Sequence, residues 1–451
     1  MARRFKALAF PVGGVALALL LLPAASAGPG ATTRTSVSTG GVQGNGRSFV
    51  PAVSADGRFA AFYSDASNLV AGDTNGARDV FVHDRQTGET TRMSVDSTGT
   101  EANGDSFAPA ISGDGRFVAF SSSGSNLVTG DTNGVNDVFV RDRQAGTTTR
   151  ASVAPAGAEA NDGSYAPSIS ADGRYVAFTS FAANLIPVDA NDGSDVFVRD
   201  LQAGTTTRVS EYQGGFEADG DSLRPAISAD GRFVAFDSDA WNLAWGDTND
   251  AFDVFVKDRQ TDIVTRVSVD DAGAQADGGS IRPTLSADGR FVAFYSDAAN
   301  LVPGDTNGAS DVILHDRRSG ATKRVSVAGG GGEANGDSVR PALSADGRLI
   351  VFESDASNLV TRDSNRFTDI FLHDRAALAP PPPAPQVRCV VPRVIGLRLA
   401  VARARIGRAN CRVGRVRRAR SRRAGRVLSQ SPRAGSLRPR GGRVNLVVGR
   451  H

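Results

Sequence analysis

The chain has 451 residues, and its 51 Lys and Arg residues nearly balance its 48 Asp and Glu residues. It holds only two cysteines, and because an isolated pair is most simply a disulfide, a catalytic thiol is excluded. The near-neutral total conceals segments of opposite charge. Residues 386–451 carry 19 arginines and no acid, and residues 1–27 carry +3. Because the net charge of the whole chain is +3, residues 28–385 must carry −19.

The N-terminus has the composition of a secretory signal peptide. Three basic residues among the first six precede an apolar stretch over residues 12–22, and small residues at 25–27 form a cleavage site. We assign residues 1–27 to a signal peptide and expect a secreted, extracytoplasmic protein. No second apolar segment of membrane-spanning length follows, so we expect no transmembrane segment after cleavage.

Six copies of one motif follow at a constant spacing of 58 residues. Each repeat holds four short runs of β-branched and aromatic residues bounded by Gly, Asp and Asn, which predicts four strands. Runs such as Phe117 to Phe120 are apolar at successive positions, which indicates burial on both faces. The sequence therefore predicts an all-β, six-bladed β-propeller with four-stranded blades over residues 32–375. The motifs PAVSADGR, PAISGDGR, PSISADGR, PAISADGR, PTLSADGR and PALSADGR begin at Pro51, Pro109, Pro167, Pro225, Pro283 and Pro341.

The two ends of this array complement each other. TTRTSV, at Thr32 to Val37, lies one period before TTRMSV, but no repeat body precedes it. FLHDR, at Phe371 to Arg375, ends the sixth copy, but no TTR strand follows it. We expect the N-terminal strand to complete the last blade, which would close the ring and cover a sheet edge.

The SxDGR turn followed by an apolar strand resembles the TolB-like, WD-type β-propeller repeat of bacterial extracytoplasmic proteins, from Thr32 to about Arg375. This resemblance implies the fold. It leaves the function open, since such modules serve as scaffolds, partner-binding platforms and parts of enzymes. A 58-residue repeat exceeds the roughly 40 to 45 residues of a WD blade, and the surplus lies in two loops per blade.

The loop GDTNGxxD is the leading candidate for a site. All six copies keep Asp, Asn and Asp at positions i, i+2 and i+6, which is part of a calcium-loop pattern, although no bidentate Glu closes it. Calcium is therefore one candidate cofactor. The alternative is that these side chains form Asx turns that cap the loop before a strand. The residues are Asp73, Asn75, Asp79, Asp131, Asn133, Asp137, Asp189, Asn191, Asp195, Asp247, Asn249, Asp253, Asp305, Asn307, Asp311, Asp363, Asn365 and Asp369.

The loops between blades are also acidic or rich in amides, for example EANGDS and QADGGS. In a four-stranded meander they emerge on the same face as the GDTNGxxD loops. The sequence therefore predicts a negative face that binds divalent cations or a cationic partner, for which the arginine-rich tail of this chain is one candidate.

Two features break the repeat symmetry. The residue before the repeat proline is apolar in the first three copies and arginine in the last three. We expect Arg224, Arg282 and Arg340 to converge beside the central channel as an anion or carboxylate site, the alternative being pairing with nearby acids. Trp241 and Trp245, in the fourth copy, would suit a sugar-stacking platform, but we expect ordinary packing because other copies have no aromatic residue at either position.

The composition changes abruptly after Arg375. AALAPPPPAP predicts an extended, proline-rich linker over residues 376–386. Beyond it, apolar residues spaced 3, 4 and 3 between positions 399 and 409 predict a helix, and about three strand-like runs follow. A disulfide between Cys389 and Cys411 would tie the first strand to the helix end.

Residues 387–450 resemble the PASTA domain through VPRVIGLRLAVARARI, Gly414, VLSQSPRAG and GGRVNLVVG. The resemblance implies a small α+β fold and binding to peptidoglycan or its stem peptides. The excess of arginine departs from the mixed-charge surface usual in the family.

No catalytic constellation stands out. Three of the four histidines stand where other copies have Arg or Lys, and none has the context of a catalytic-serine partner. We expect a secreted, non-catalytic binding or scaffold protein of the cell envelope, whose propeller recognises an unknown protein or glycan and whose basic domain attaches to the anionic wall. The alternative is an extracellular glycan hydrolase or lyase that uses paired carboxylates. Export and the lack of interleaved aromatic residues argue against nucleic-acid binding.

Overall fold

A computed structural model describes residues 33–361, 363–375, 389–438 and 441–450. Its contacts divide the chain into two units, Met1–Arg375 and Ala376–His451. The signal peptide and the linker expected from the sequence lie outside the described residues. Within those residues, no helix has the length and apolar character needed to cross a membrane.

The first unit contains one antiparallel sheet for each repeat. In its described part, five sheets have four strands in sequential order, the sixth has three, and a two-stranded hairpin lies between the third and fourth sheets. The sheets comprise β1 Ser48–Val53, β2 Phe59–Ser64, β3 Asp79–Asp84 and β4 Glu89–Arg92; β5 Ser106–Ile111, β6 Phe117–Ser122, β7 Asp137–Asp142 and β8 Thr147–Arg150; β9 Ser164–Ile169, β10 Tyr175–Ser180, β11 Asp195–Asp200 and β12 Thr205–Arg208; the hairpin β13 Glu211–Tyr212 and β14 Phe216–Glu217; β15 Ser222–Ile227, β16 Phe233–Ser238, β17 Asp253–Asp258 and β18 Ile263–Arg266; β19 Ser280–Leu285, β20 Phe291–Ser296, β21 Asp311–Asp316 and β22 Ala321–Arg324; β23 Ser338–Leu343, β24 Leu349–Ser354 and β25 Asp369–Asp374.

Consecutive sheets pack face to face through their second and third strands. Ala61, Val80 and Val82 of the first sheet share one buried cluster with Val118 and Phe120 of the second. Both faces of the inner strands are therefore covered, as the unbroken apolar runs predict.

The SxDGR turns connect each sheet to the next. The N–H of Ala55 donates to the carbonyl of Gly113 over 2.9 Å, and the same bond recurs between the next four pairs of turns, up to Ala287 and Ala345. Gly115 has a φ of +72°, and a Cβ at this glycine would lie 2.1 Å from the ring of Phe59 in the preceding sheet. Glycine is thus required for the turn and for the contact between sheets.

The ends of the array differ from its interior. The sixth sheet has three strands among the described residues, and residues 33–36 form no strand. Val37 bridges Gln43, as Val95 bridges Glu101 one repeat later, and its carbonyl accepts a hydrogen bond from Thr90. These contacts hold the N-terminal segment against the first sheet. The expected closure by a strand at Thr32 to Val37 is therefore not confirmed, and Thr32 itself lies outside the described residues.

The last sheet also exposes apolar side chains. Ile370 and Leu372 are 67% and 60% exposed, whereas Val80 and Val82, which occupy the same positions in the first repeat, are fully buried. In the inner sheets, the sheet that follows covers the equivalent positions.

The second unit has a separate core. Its elements are β26 Cys389–Val390, α1 Leu399–Arg408, β27 Arg412–Arg420, β28 Val427–Ser431, β29 Leu437–Arg438 and β30 Arg443–Arg450. β30 lies between β27, which is parallel to it, and β28, which is antiparallel. Ala402 and Ile406 are buried, which confirms the predicted helical stripe. The disulfide between Cys389 and Cys411 is also confirmed, with a Cα–Cα distance of 4.8 Å.

Candidate functional site

In each of the first five repeats, the GDTNGxxD loop surrounds an arginine from the fourth strand of the same sheet. Nη1 of Arg150 lies 3.0 Å from Oδ2 of Asp137, 3.3 Å from Oδ1 of Asp131 and 3.0 Å from Oε2 of Glu159. The Arg150 side chain is only 8% exposed, and Asp137 is fully buried. We call this arrangement an arginine socket. The other four socket arginines are Arg92, Arg208, Arg266 and Arg324.

The sockets join the two acidic loop sets of the first unit. Glu159 belongs to the loop between the second and third sheets, so the two sets do meet on one face. In the fourth repeat Gln275 stands at the position of this glutamate, and its amide donates to Asp247 over 2.7 Å and to Asp253 over 3.0 Å. The socket acids are therefore paired internally with a cation or an amide, which lowers the charge that they present to a partner.

The socket geometry bears directly on the calcium hypothesis. Carboxylate oxygens of Asp73, Asp79 and Glu101 lie within 4.8 Å of one another, a spacing that suits a single cation. Nη1 of Arg92 lies 2.9 Å from Asp79 and 2.6 Å from Glu101, so in this repeat that cation is a guanidinium. A similar cluster, Asp189, Asp195 and Glu217, holds Arg208.

The loop asparagines form Asx turns. Oδ1 of Asn75 accepts the N–H of Ala77 over 2.9 Å, and Nδ2 donates to the carbonyl of Ala102. The first of these bonds recurs in all six repeats. The amide oxygen thus accepts a hydrogen bond from the backbone, as expected for Asx turns, the alternative to a metal loop. Calcium binding stays a prediction.

Burial and hydrogen bonding shift the pKa values of the socket acids in opposite directions. Desolvation raises the pKa of Asp131 to about 6 and that of Asp195 to about 7. Hydrogen bonds from Thr132 lower the pKa of Glu159 to about 2. Although a carboxyl with a pKa near 7 suits acid–base chemistry, Asp195 is fully buried, so a polymeric substrate has no access to it.

The sixth repeat has the loop but no fourth-strand arginine among the described residues. Asp363 and Asp369 are half-buried, and Asn365 donates to Asp369 over 2.8 Å. The loop lines an open groove of about 500 Å³ together with Ile370 and Leu372.

Two of the three symmetry-breaking arginines are paired within their own sheets. Arg224 forms an ion pair with Asp237, and Arg340 lies 2.8 Å from Glu353. Arg282 is exposed and has no ion pair with a described residue, although its N–H donates to Asp237 over 3.3 Å. Burial raises the pKa of Asp237 to about 7. Pairing with nearby acids thus accounts for Arg224 and Arg340, and Arg282 remains as the predicted anion contact.

An aromatic cleft lies between the β13–β14 hairpin and the loop that joins β16 to β17. Trp241 and Trp245 are 70% and 88% exposed, so the expectation that they are ordinary packing residues is wrong. With Tyr212 and Phe216 of the β13–β14 hairpin, they line a cleft of about 430 Å³. The indole N–H of Trp245 donates to the Tyr212 hydroxyl over 3.0 Å, and Asn242 adds a polar group to the lining.

Sequence reasoning missed the hairpin half of this cleft. The signal was present in EYQGGFE, which has aromatic residues where other copies have Asp, Ala, Thr or Gly. Gly214 and Gly215 both adopt positive φ and allow Tyr212 to pair with Phe216.

The second unit presents a basic groove on its three-stranded sheet. Arg415, Arg417 and Arg443 line it together with Ser429 and Asn445, and its volume is about 520 Å³. Guanidinium groups with neighbouring hydroxyl and amide groups suit a carboxylate or phosphate ligand.

The comparisons with known proteins separate the two units. Residues 390–450 match the PASTA domain family. The second unit contains a PASTA domain. No curated protein matches this chain.

Solved structures that are similar to the chain include TolB from Acinetobacter baumannii, at 16% identity and a TM-score of 0.36, over 66% of this chain and 60% of that one. An acylaminoacyl peptidase from Pyrococcus horikoshii is 11% identical over 73% of this chain and 44% of that chain, with a TM-score of 0.44. An oligogalacturonate lyase from Vibrio parahaemolyticus is 10% identical over 72% and 88%, with a TM-score of 0.39. Similarities this low transfer neither a ligand nor an activity.

Proposed function

We propose that this protein is a secreted, non-catalytic binding protein of the cell envelope, in which the PASTA domain attaches to the wall and the repeat unit presents a recognition surface. The proposal takes the six sheets as blades of one propeller. The observation that carries it is the PASTA domain at residues 390–450, since this domain family implies binding to peptidoglycan or its stem peptides.

The groove of the PASTA domain supplies the chemistry for wall attachment. Stem peptides and wall polymers carry carboxylates or phosphates, and Arg415, Arg417 and Arg443 offer guanidinium groups to them from one side of the sheet. The remaining arginines of residues 386–451 add a long-range attraction for an anionic wall.

The aromatic cleft is the strongest candidate for the recognition surface of the propeller. Exposed indole rings match the apolar C–H faces of sugar rings, and the adjacent amide and hydroxyl groups match sugar hydroxyls. We propose a glycan as its ligand, which agrees with a protein held at the cell wall.

Binding of the full-length mature protein to purified cell-wall sacculi tests the wall attachment. Replacing Arg415, Arg417 and Arg443 with alanine should abolish most of the binding. The matched control replaces Arg403, Arg405 and Arg408, which are exposed on α1, and removes the same charge away from the groove. Equal losses in both variants would show that only net charge matters, and unchanged binding in both would refute the proposal.

A further inference from the structure

Among the described residues, no arginine fills the socket of the sixth repeat as one does in its five predecessors. In each of those repeats the arginine follows the second aspartate of the socket by 13 residues, as Arg92 follows Asp79 and Arg150 follows Asp137. The corresponding position after Asp369 is Pro382, which carries no charge. Five filled sockets in the same unit show which ligand this loop binds, namely a guanidinium presented by a neighbouring strand.

The repeat register identifies one unassigned arginine. Arg34 precedes Arg92 by 58 residues, the same interval that separates Arg92 from Arg150, and it belongs to the same TTR motif as Arg92. Arg34 is exposed and forms no ion pair with any other described residue. It is the N-terminal member of a series whose other members occupy sockets.

Gln43 completes the match. Gln43 bridges Val37, as Gln275 bridges Val269. In the fourth socket the amide of Gln275 donates to both aspartates beside Arg266. A socket built from Arg34, Gln43 and the two aspartates of the sixth loop would therefore repeat an arrangement that this protein already contains.

The first and last repeats also have backbone groups, unpaired in the described part of the chain, that would match one another. Among the described residues β25 pairs only with β24, so its other edge is free for a fourth strand. Applying the 58-residue register of β21 and β22 to β25 places Thr33 opposite Leu372. In the series of hydrogen bonds between turns, the N–H of Ala345 and the carbonyl of Ala55 have no described partner, and together they would form the sixth bond.

We propose that Arg34 fills the sixth socket of its own chain, with its guanidinium between Asp363 and Asp369 and residues 33–35 added to β25. The first sheet then covers the exposed apolar face around Ile370 and Leu372. A charged residue, and not only strand pairing, then fixes the N-terminal segment to the sixth repeat.

Cysteine cross-linking of the full-length mature protein tests the register. Thr33→Cys with Leu372→Cys should form an intramolecular disulfide under mild oxidation, detected by non-reducing peptide mapping. The control pairs Thr33→Cys with Val351→Cys, because Val351 lies on β24, one strand farther from the free edge. Disulfide-linked dimers would show that Arg34 of a second copy fills the socket, which overturns the proposal, as would equal cross-linking in both variants.

A charge exchange tests the socket itself. Arg34→Asp and Asp369→Arg should each lower the melting temperature by about 1–2 °C, which corresponds to about 1 kcal/mol in a domain of roughly 340 residues, and the double variant should recover most of the loss. Additive losses would overturn the proposal. The proposal would also be overturned if millimolar calcium raised the melting temperature of the wild type but not that of Asp369→Asn, because the socket would then hold a metal ion.

Discussion

Nη1 of Arg150 and Oδ2 of Asp137 lie 3.0 Å apart in a socket where the aspartate is fully buried. Removing the arginine leaves this carboxylate without its cation, so Arg150→Ala should destabilise the protein by about 3–5 kcal/mol, the usual cost of breaking a buried ion pair. Arg116→Ala in the same sheet is the control, because Arg116 pairs with Asp142 while its side chain is 37% exposed. Urea unfolding should show the larger loss for Arg150→Ala, and equal losses would contradict the structural role of the socket.

The turn arginines predict a loss of stability in acid. Hydrogen bonds from Arg58, Arg116, Arg174 and Arg232 lower the pKa of their partner aspartates to about 2. Because these pKa values lie below the unfolded value near 3.9, the stabilisation is present above about pH 4 and is lost as the pH falls through about 2.

Thermal melts of the wild type between pH 4 and pH 2 should show this decline, because the raised pKa values of Asp131 and Asp195 change stability only above about pH 4. Arg116→Gln should reduce the part of this decline that comes from Asp142, because losing the hydrogen bonds from Arg116 returns the pKa of Asp142 toward the unfolded value. A wild-type melting temperature that stays constant from pH 4 to pH 2 would contradict the prediction.

Replacing a turn glycine with alanine should reveal a steric clash between sheets that is separate from the backbone strain of a positive φ. Gly115 and Gly130 have similar positive φ values, +72° and +78°, so alanine at either position costs about 1–2 kcal/mol of conformational strain. Only at Gly115 would the new Cβ meet a neighbouring sheet, at the ring of Phe59. Gly115→Ala should therefore lower the melting temperature well beyond Gly130→Ala, and equal effects would show that the contact yields easily.

The aromatic cleft predicts glycan binding that depends on its rings. Trp245→Ala and Trp241→Ala should each reduce the affinity for soluble wall glycan fragments by about tenfold, since one stacked aromatic contact contributes about 0.5–1.5 kcal/mol beyond its buried area. Intrinsic fluorescence titration measures this directly, because the chain has only these two tryptophans. Phe181→Ala, an exposed ring elsewhere in the repeat unit, is the control and should bind like the wild type.

The strictly periodic features could be predicted from the sequence. The 58-residue spacing and the four runs per repeat predict the strands, and the apolar spacing between residues 399 and 409 predicts α1. The arginine sockets could not be found in this way, because the arginine, the two aspartates and the glutamate come from three separate segments. From the sequence these acids suggest either a calcium site or Asx turns, because no local pattern connects them with an arginine 13 residues away.

The aromatic cleft shows a second limit of sequence analysis. Tyr212 and Trp245 are 33 residues apart in two different connections, and only folding brings the hydroxyl and the indole N–H together. Their high exposure could not be read from residue type, since aromatic side chains are usually buried.

The hydrogen bonds between turns join residues that are a whole repeat apart, from Ala55 to Gly113 and onward. Each socket, by contrast, is completed by the loop that leads into the next sheet. Duplication or loss of one entire 58-residue unit would reproduce both kinds of junction without new interfaces, whereas a short insertion between turn and socket would break both. A uniform 58-residue period therefore preserves both kinds of junction at every repeat.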